Sequence, residues 1–181
     1  MFYYLNCNEQ RSCYNESKRM SESLCAAFLA EKKMDYVTAR ICRVYGPTLK
    51  ADDSKAMSQF LRNASMGRDI ILKSDGNQYF SYIYSADAAS ALLYILINGK
   101  SGECYNVADV DSKITLKDLA AKISKYSKTS VVFKIPDTKE YKGYSKAIYS
   151  VLNTNKINLL GWKSQFHIDT AIARTLELMN L

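Results

Sequence analysis

The sequence predicts an α/β fold, and three observations carry that reading. Short β-branched and aromatic runs alternate with segments of helical periodicity along most of the chain. Gly46-Pro47, Asp75-Gly76 and Asn98-Gly99 punctuate the joins between them. The 181 residues, 48% of them hydrophobic, suffice for one domain with a sizeable core or for one and a half small ones.

Taken in order, the first helix is predicted over 14–32. Met20, Leu24, Ala27 and Phe28 form its apolar stripe, with Tyr14, Lys18, Ser21 and Cys25 on the neighbouring face. Tyr36 to Ile41 reads as a buried strand ended by the Gly46-Pro47 turn, and Arg40 within it needs a polar partner. A short helix over 56–66 stops at Gly67. Strands at 70–72 and 80–84 flank the Asp75-Gly76 turn as a hairpin would. Ser85 is the expected N-cap of a helix through Ile97. Cys104 to Ala108 is a further strand, and Thr115 with Asp118 forms a capping box for a helix to about Tyr126. A strand at 131–135, a lysine-rich loop over about 137–150, and helices at 154–160 and 169–179 around Gly161-Trp162 complete the chain. No repeat and no low-complexity linker is present.

Bulk properties exclude several classes. The longest apolar stretch, Ala86 to Ile97, is interrupted by Asp87 and Ser90 and is too short to span a bilayer, and no signal peptide is visible, so no membrane partner is expected. Five cysteines form no CxxC pair, which reads as reduced thiols of a cytoplasmic protein. The net charge of +7 comes from lysines scattered over about 113–163, without an arginine-rich block. It reads as a solvated basic surface, with attraction of anionic small molecules such as nucleotide diphosphates as the alternative; no nucleic acid is expected.

The segment with the most chemistry is Ser12-Cys13-Tyr14-Asn15-Glu16-Ser17-Lys18-Arg19. A Tyr and a Lys four residues apart on a helix project from one face, about 40° apart around the axis. A phenol beside an ammonium ionises more readily, which suits moving a proton on or off a sugar hydroxyl or carbonyl. With 14 tyrosines in the chain, chance alone gives roughly one such spacing, so the pair gains weight only from its company.

That company is an ordered series. Arg11 to Arg19 is followed by Ala39-Arg40-Ile41-Cys42-Arg43-Val44-Tyr45-Gly46-Pro47, then Gly76-Asn77-Gln78 and Tyr84-Ser85-Ala86-Asp87. Glu103 to Ala108 and Leu159-Leu160-Gly161-Trp162 close it. Over nearly the whole chain the series resembles the extended short-chain dehydrogenase/reductase family of NAD-dependent nucleotide-sugar epimerases, 4,6-dehydratases and decarboxylases. The segment around Tyr14 is most similar to UDP-glucuronate decarboxylases, with dTDP-glucose 4,6-dehydratases next.

The resemblance implies a fold: the C-terminal part of a Rossmann-like doubly wound sheet plus a small mixed α/β substrate-binding subdomain. Residues 1–55 would be the remnant of the NAD-binding domain. Residues 56–181 would be mainly the sugar-nucleotide subdomain, with about 79–98 returning to the first part. It implies oxidation at sugar C4 through a 4-keto intermediate, with NAD as cofactor and a nucleotide-diphosphate sugar as substrate. Tyr14 would be the acid/base and Lys18 its electrostatic partner on the nicotinamide ribose, with Val44 also at the cofactor. Arg43, Lys55 and Tyr79 would meet the substrate, with Phe60 near them. The helix bearing Tyr14 and Lys18 would form a homodimer.

Departures from the pattern narrow these expectations. Family members commonly have Asn in place of Arg43, and the decarboxylases carry a substrate-binding Arg where this chain has Phe80, which cannot supply bidentate contacts. No GxGxxG or GxxGxxG turn occurs among the seven glycines, so the chain carries no dinucleotide loop. The chain therefore reads as the C-terminal portion of such an enzyme, inactive by itself, with a non-catalytic sugar-nucleotide-binding or dimerising fragment as the alternative. His167, the sole histidine, reads as a surface residue, Cys13 and Cys25 as small apolar side chains, and Trp162 as a packing anchor. Tyr79, Tyr82 and Tyr84 read as core or pocket wall. No metal site is expected.

Overall fold

The computed structural model describes residue 8 and residues 12–50, 52–135 and 148–180. Its elements run α1 (Ser12–Lys32), β1 (Thr38–Ile41), β2 (Arg43–Tyr45), α2 (Ala56–Ser65), β3 (Ile70–Leu72), β4 (Tyr79–Phe80), β5 (Tyr82–Tyr84) and α3 (Ser85–Asn98). Then follow β6 (Cys104–Val107), β7 (Ile114–Thr115), α4 (Leu116–Ser127), β8 (Val131–Phe133), β9 (Tyr149–Ser150), α5 (Asn155–Leu160) and α6 (Ile168–Met179). Most of the loop predicted over 137–150 lies outside the described residues, although its end supplies β9.

Parallel pairing dominates, as the alternating pattern predicts: β1 with β6, β2 with β5, β3 with β8 and β4 with β9. The Thr38 N–H reaches Glu103 O just before β6 and the Cys42 N–H reaches Val107 O within it, whereas the Arg43 N–H reaches Ser81 O on the opposite edge. β6 and β5 therefore flank opposite sides of the 38–45 run. On the β5 side, Thr38–Ile41 has no strand partner among the described residues. Side chains alternate across this run. Ala39 and Val37 pack with Tyr105, Val107, α3, α5 and Trp162 on one face, while Arg40 and Cys104 meet Glu22 of α1 on the other.

The core has two parts. One joins α3, α5, β1, β5 and β6 through Ile83, Ala91, Ile95, Val107, Ile157 and Trp162. The larger gathers α2, α4, α6 and the remaining strands around Leu61, Ile70, Leu72, Leu119, Ile123 and Ile172. Tyr82 and Tyr84 are buried in it, as predicted, whereas Tyr79 of the same run is exposed on the other face; Trp162 is an anchor whose Nε1 donates to Ser90 Oγ.

Several sequence expectations need correction. β3 and β4 do not form a hairpin, since each finds distant partners. The Asp75-Gly76 turn instead packs on the start of α4. Gly76 O accepts the Lys117 N–H, and at its φ of +70° a Cβ would lie 2.8 Å from Lys117 Cβ. Ser85 is the first residue of α3 and Tyr84 its N-cap; Ser85 Oγ sits against Gly46, where a Cβ would approach it to 2.3 Å. Arg40 is exposed, and its partner is the Glu22 carboxylate on α1, to which Nε donates at 2.8 Å. The predicted α1 stripe is not buried: Met20, Leu24 and Phe28 are all about half exposed or more. The strands at 114–115 and 149–150 went unpredicted because two-residue strands carry no periodicity.

Candidate functional site

Tyr14 and Lys18 lie on one face near the start of α1, with the Lys18 ammonium 5.6 Å from the Tyr14 ring centroid. The Tyr14 side chain is open to solvent, at 64% exposure. Glu22, one turn beyond Lys18 on the same helix, ties α1 to the sheet through Arg40 and accepts a long contact from Cys104 Sγ at 3.8 Å. The Arg40 hydrogen bond and charge hold the Glu22 carboxyl below the usual carboxylate range. The Arg40 contact ties the helix carrying the pair to β1, and the Cys104 contact ties it to β6.

At the end of β1 the chain continues through Cys42 into Arg43, Val44 and Tyr45. Burial pushes the Cys42 thiol up to about 12 and the Tyr45 phenol upward as well. Val44 is half exposed between them. Arg43 is half-buried, its guanidinium 3.7 Å from the Phe80 ring centroid. Burial lowers its affinity for a proton without discharging it, since a guanidinium is far too basic to lose its charge near neutrality; no carboxylate pairs with it among the described residues. The ring face partly replaces lost hydration and leaves the N–H edge available.

Tyr79 occupies the face of β4 opposite Phe80. Its ring stacks on Tyr149 at 6.0 Å, and the Lys113 ammonium lies 5.7 Å over it. Tyr79 is therefore separated from the Arg43 side of the strand. Lys55 stands exposed just before α2, 3.7 Å from Asp53. Beside it opens a small cleft of about 160 Å³ lined by Ser54, Gln59, Phe60, Ile71, Lys73 and Leu116, among others. Lys73, which sequence reasoning missed, lines this cleft as its cation, with Lys55 outside the lining; its signal was a lone Lys directly after an apolar strand. Two apolar walls, hydroxyl and amide groups and flanking ammonium ions suit a ring with an attached anion.

The structure thus brings Tyr14 together with Lys18, and Arg43 together with Phe80, while Lys55 stands next to a cleft. Val44 lies beside Arg43, and Tyr79 is turned away. His167 is an exposed N-cap residue of α6, as the sequence suggested. No helix of the described residues is long and apolar enough to cross a membrane.

Comparison with known proteins supplies the family. The family described as NAD dependent epimerase/dehydratase matches residues 3–108. The chain is 28% identical over 125 residues to UDP-glucuronic acid decarboxylase 6 of Arabidopsis thaliana, covering 69% of this chain and 36% of that protein. Among solved structures, the UDP-glucose 4-epimerase of Thermotoga maritima, determined with UDP-glucose, superposes with a TM-score of 0.79 at 20% identity, covering 91% of this chain and 52% of the epimerase. The dTDP-glucose 4,6-dehydratase of Bacillus anthracis, determined with NAD, gives 0.78 at 18% identity, covering 97% of this chain and 53% of the dehydratase. The chain spans about a third of the length of that decarboxylase and about half that of the solved structures. The parallel α/β architecture is the one these structures share, and with the family match it places the protein: the chain belongs to the NAD-dependent epimerase/dehydratase family.

Proposed function

We propose that this chain supplies the proton-transfer pair and the nucleotide-sugar-binding part of an enzyme that works through a 4-keto sugar. The observation that carries this reading is the placement of Tyr14 and Lys18 on one solvent-open face of α1, within the segment matched by the family. In this reading residues 1–55, together with about 79–98, belong to the cofactor domain, and the rest of 56–181 forms the substrate subdomain.

The residues present fit only one end of NAD. Tyr14, Lys18 and Val44 offer exposed groups suited to its nicotinamide ribose, but none of the seven glycines is spaced to cradle a pyrophosphate. NAD, when bound, accepts and returns the hydride of sugar C4. Tyr14 takes the proton from the 4-hydroxyl through its phenolic oxygen and gives it back on reduction. Lys18 holds the phenol's surroundings cationic. Arg43, stacked on Phe80, and the cleft flanked by Lys55 and Lys73 bind the diphosphate and nucleoside. Tyr79 closes the outer side of the same subdomain. Loss of carbon dioxide, the electron pair passing to the 4-keto group as an enolate that is then protonated, or loss of water would follow on this frame as lyase chemistry, and re-addition of hydride on the other face as isomerase chemistry.

The exposed Met20, Leu24 and Phe28 stripe of α1, spaced by one helical turn each, supports a homodimer through this helix. A second reading, a sugar-nucleotide-binding or dimerising chain without catalysis, is favoured by the missing pyrophosphate cradle and the open edge of Thr38–Ile41. Five cysteines without a CxxC pair support a cytoplasmic location.

The test is Tyr14→Phe in a protein that joins residues 1–181 to the dinucleotide-binding half of a solved relative. Turnover of a UDP- or dTDP-hexose should fall by about 10²-fold or more while nucleotide-sugar affinity stays within about threefold. Undiminished turnover would refute the assignment.

A further inference from the structure

We propose that Asp109, Asp111 and His167 form a binding site for a divalent transition ion, Mn²⁺ or Zn²⁺ by the character of the donors. Asp109 follows β6, and its backbone N–H donates to Tyr82 O at 3.1 Å. Its side chain is only 3% exposed. Oδ1 accepts the Asp111 N–H at 3.2 Å and the Ser164 hydroxyl at 2.8 Å, whereas the buried Oδ2 has no hydrogen-bond partner. A buried carboxylate oxygen without a partner costs free energy that a cation recovers.

The other two donors complete a set around it. His167 Nδ1 stands 3.5 Å from Asp111 Oδ2, and one ligand atom from each of the three residues lies within 4.8 Å of the others. Donors about 2.1 Å from an ion lie at most about 4.2 Å apart. The excess is less than about 1 Å, and it closes by a movement of the exposed Asp111 and His167 side chains toward the buried Asp109. Among the described residues no Lys or Arg makes an ion pair with Asp109 or Asp111, although the chain as a whole carries +7. Two carboxylates and one imidazole suit Mn²⁺ or Zn²⁺ better than a thiol-seeking ion or an all-oxygen ion.

Such an ion would clamp the loop after β6 to the N-terminus of α6. It fixes the segment that Asp87 already holds by accepting the Gln165 and Phe166 N–H groups. The site is independent of the proton-transfer pair on α1.

Mn²⁺ is the probe of choice because the thiols compete for it poorly. The sole histidine gives a single set of imidazole NMR signals in the chelator-treated, tag-free chain. Substoichiometric Mn²⁺ should broaden those signals selectively, and electron paramagnetic resonance should count one bound ion per chain. Asp111→Asn and His167→Gln, both on exposed side chains, should each weaken binding by about tenfold or more. Asp109→Asn should do the same wherever it folds. Unperturbed His167 signals under excess Mn²⁺, or undiminished Mn²⁺ binding by Asp111→Asn, would overturn the proposal.

Discussion

The Arg43 guanidinium lies 3.7 Å from the centre of the Phe80 ring, across neighbouring strands whose backbones meet where the Arg43 N–H donates to Ser81 O. The sequence departs from its decarboxylase-like pattern at both positions, and the two departures touch. In the proposed reading, Arg43 stands in for the cation absent from position 80, held over the aromatic ring found there. Arg43→Lys keeps the charge but loses the planar fork and the stacking. It should weaken UDP-sugar binding about tenfold, measured by calorimetry, while folding stability falls by no more than about 1–2 kcal/mol.

The Glu22–Arg40 pair gives a pH signature. Folding holds the Glu22 carboxyl below its ordinary value, so the unfolded chain takes up the proton first. The contribution is complete above the unfolded pKa of about 4.5 and is lost as pH falls through the lower folded value. Both side chains are partly exposed, so its size is at most about 1 kcal/mol. Urea melts of wild type and Glu22→Gln should differ at pH 7 and converge as the pH drops below 4.5.

Thr115 caps α4 in both directions. Its Oγ1 accepts the Asp118 N–H at 3.1 Å and donates to Asp118 Oδ2. Thr115→Ala should lower unfolding free energy by about 1–2 kcal/mol, with Thr115→Ser close to wild type.

Much of this was legible in the sequence, and the physical range of each signal explains the rest. The capping box and the left-handed Gly161 are local chemistry, written within a few residues. The hairpin expected around Asp75-Gly76 was wrong because β3 pairs with β8 and β4 with β7 and β9, contacts that no local pattern encodes. Arg40 was flagged as needing a partner, but Glu22 lies eighteen residues back on a helix whose rotation over the sheet is a tertiary property. The Tyr14/Lys18 pair was visible through its ordered company. The Lys73 cleft and the partnerless Asp109 oxygen emerged only when distant segments met.

Cysteine chemistry offers an independent check on the core. Burial pushes the Cys42 thiol up to about 12, so almost no thiolate forms at pH 8. Cys13 is exposed on α1. Native-state iodoacetamide labelling followed by peptide mass spectrometry should modify Cys42 at least about tenfold more slowly than Cys13, a gap that closes in urea.

The central claim is that this chain holds a nucleotide sugar but only one end of the cofactor. Calorimetric titration of the 181-residue chain with UDP-glucose and, separately, with NAD tests it most directly. Saturable UDP-glucose binding that weakens in Lys73→Ala, with no saturable NAD binding below about 1 mM, is the predicted result. Micromolar NAD binding by this chain alone, or no binding of the nucleotide sugar, would contradict it.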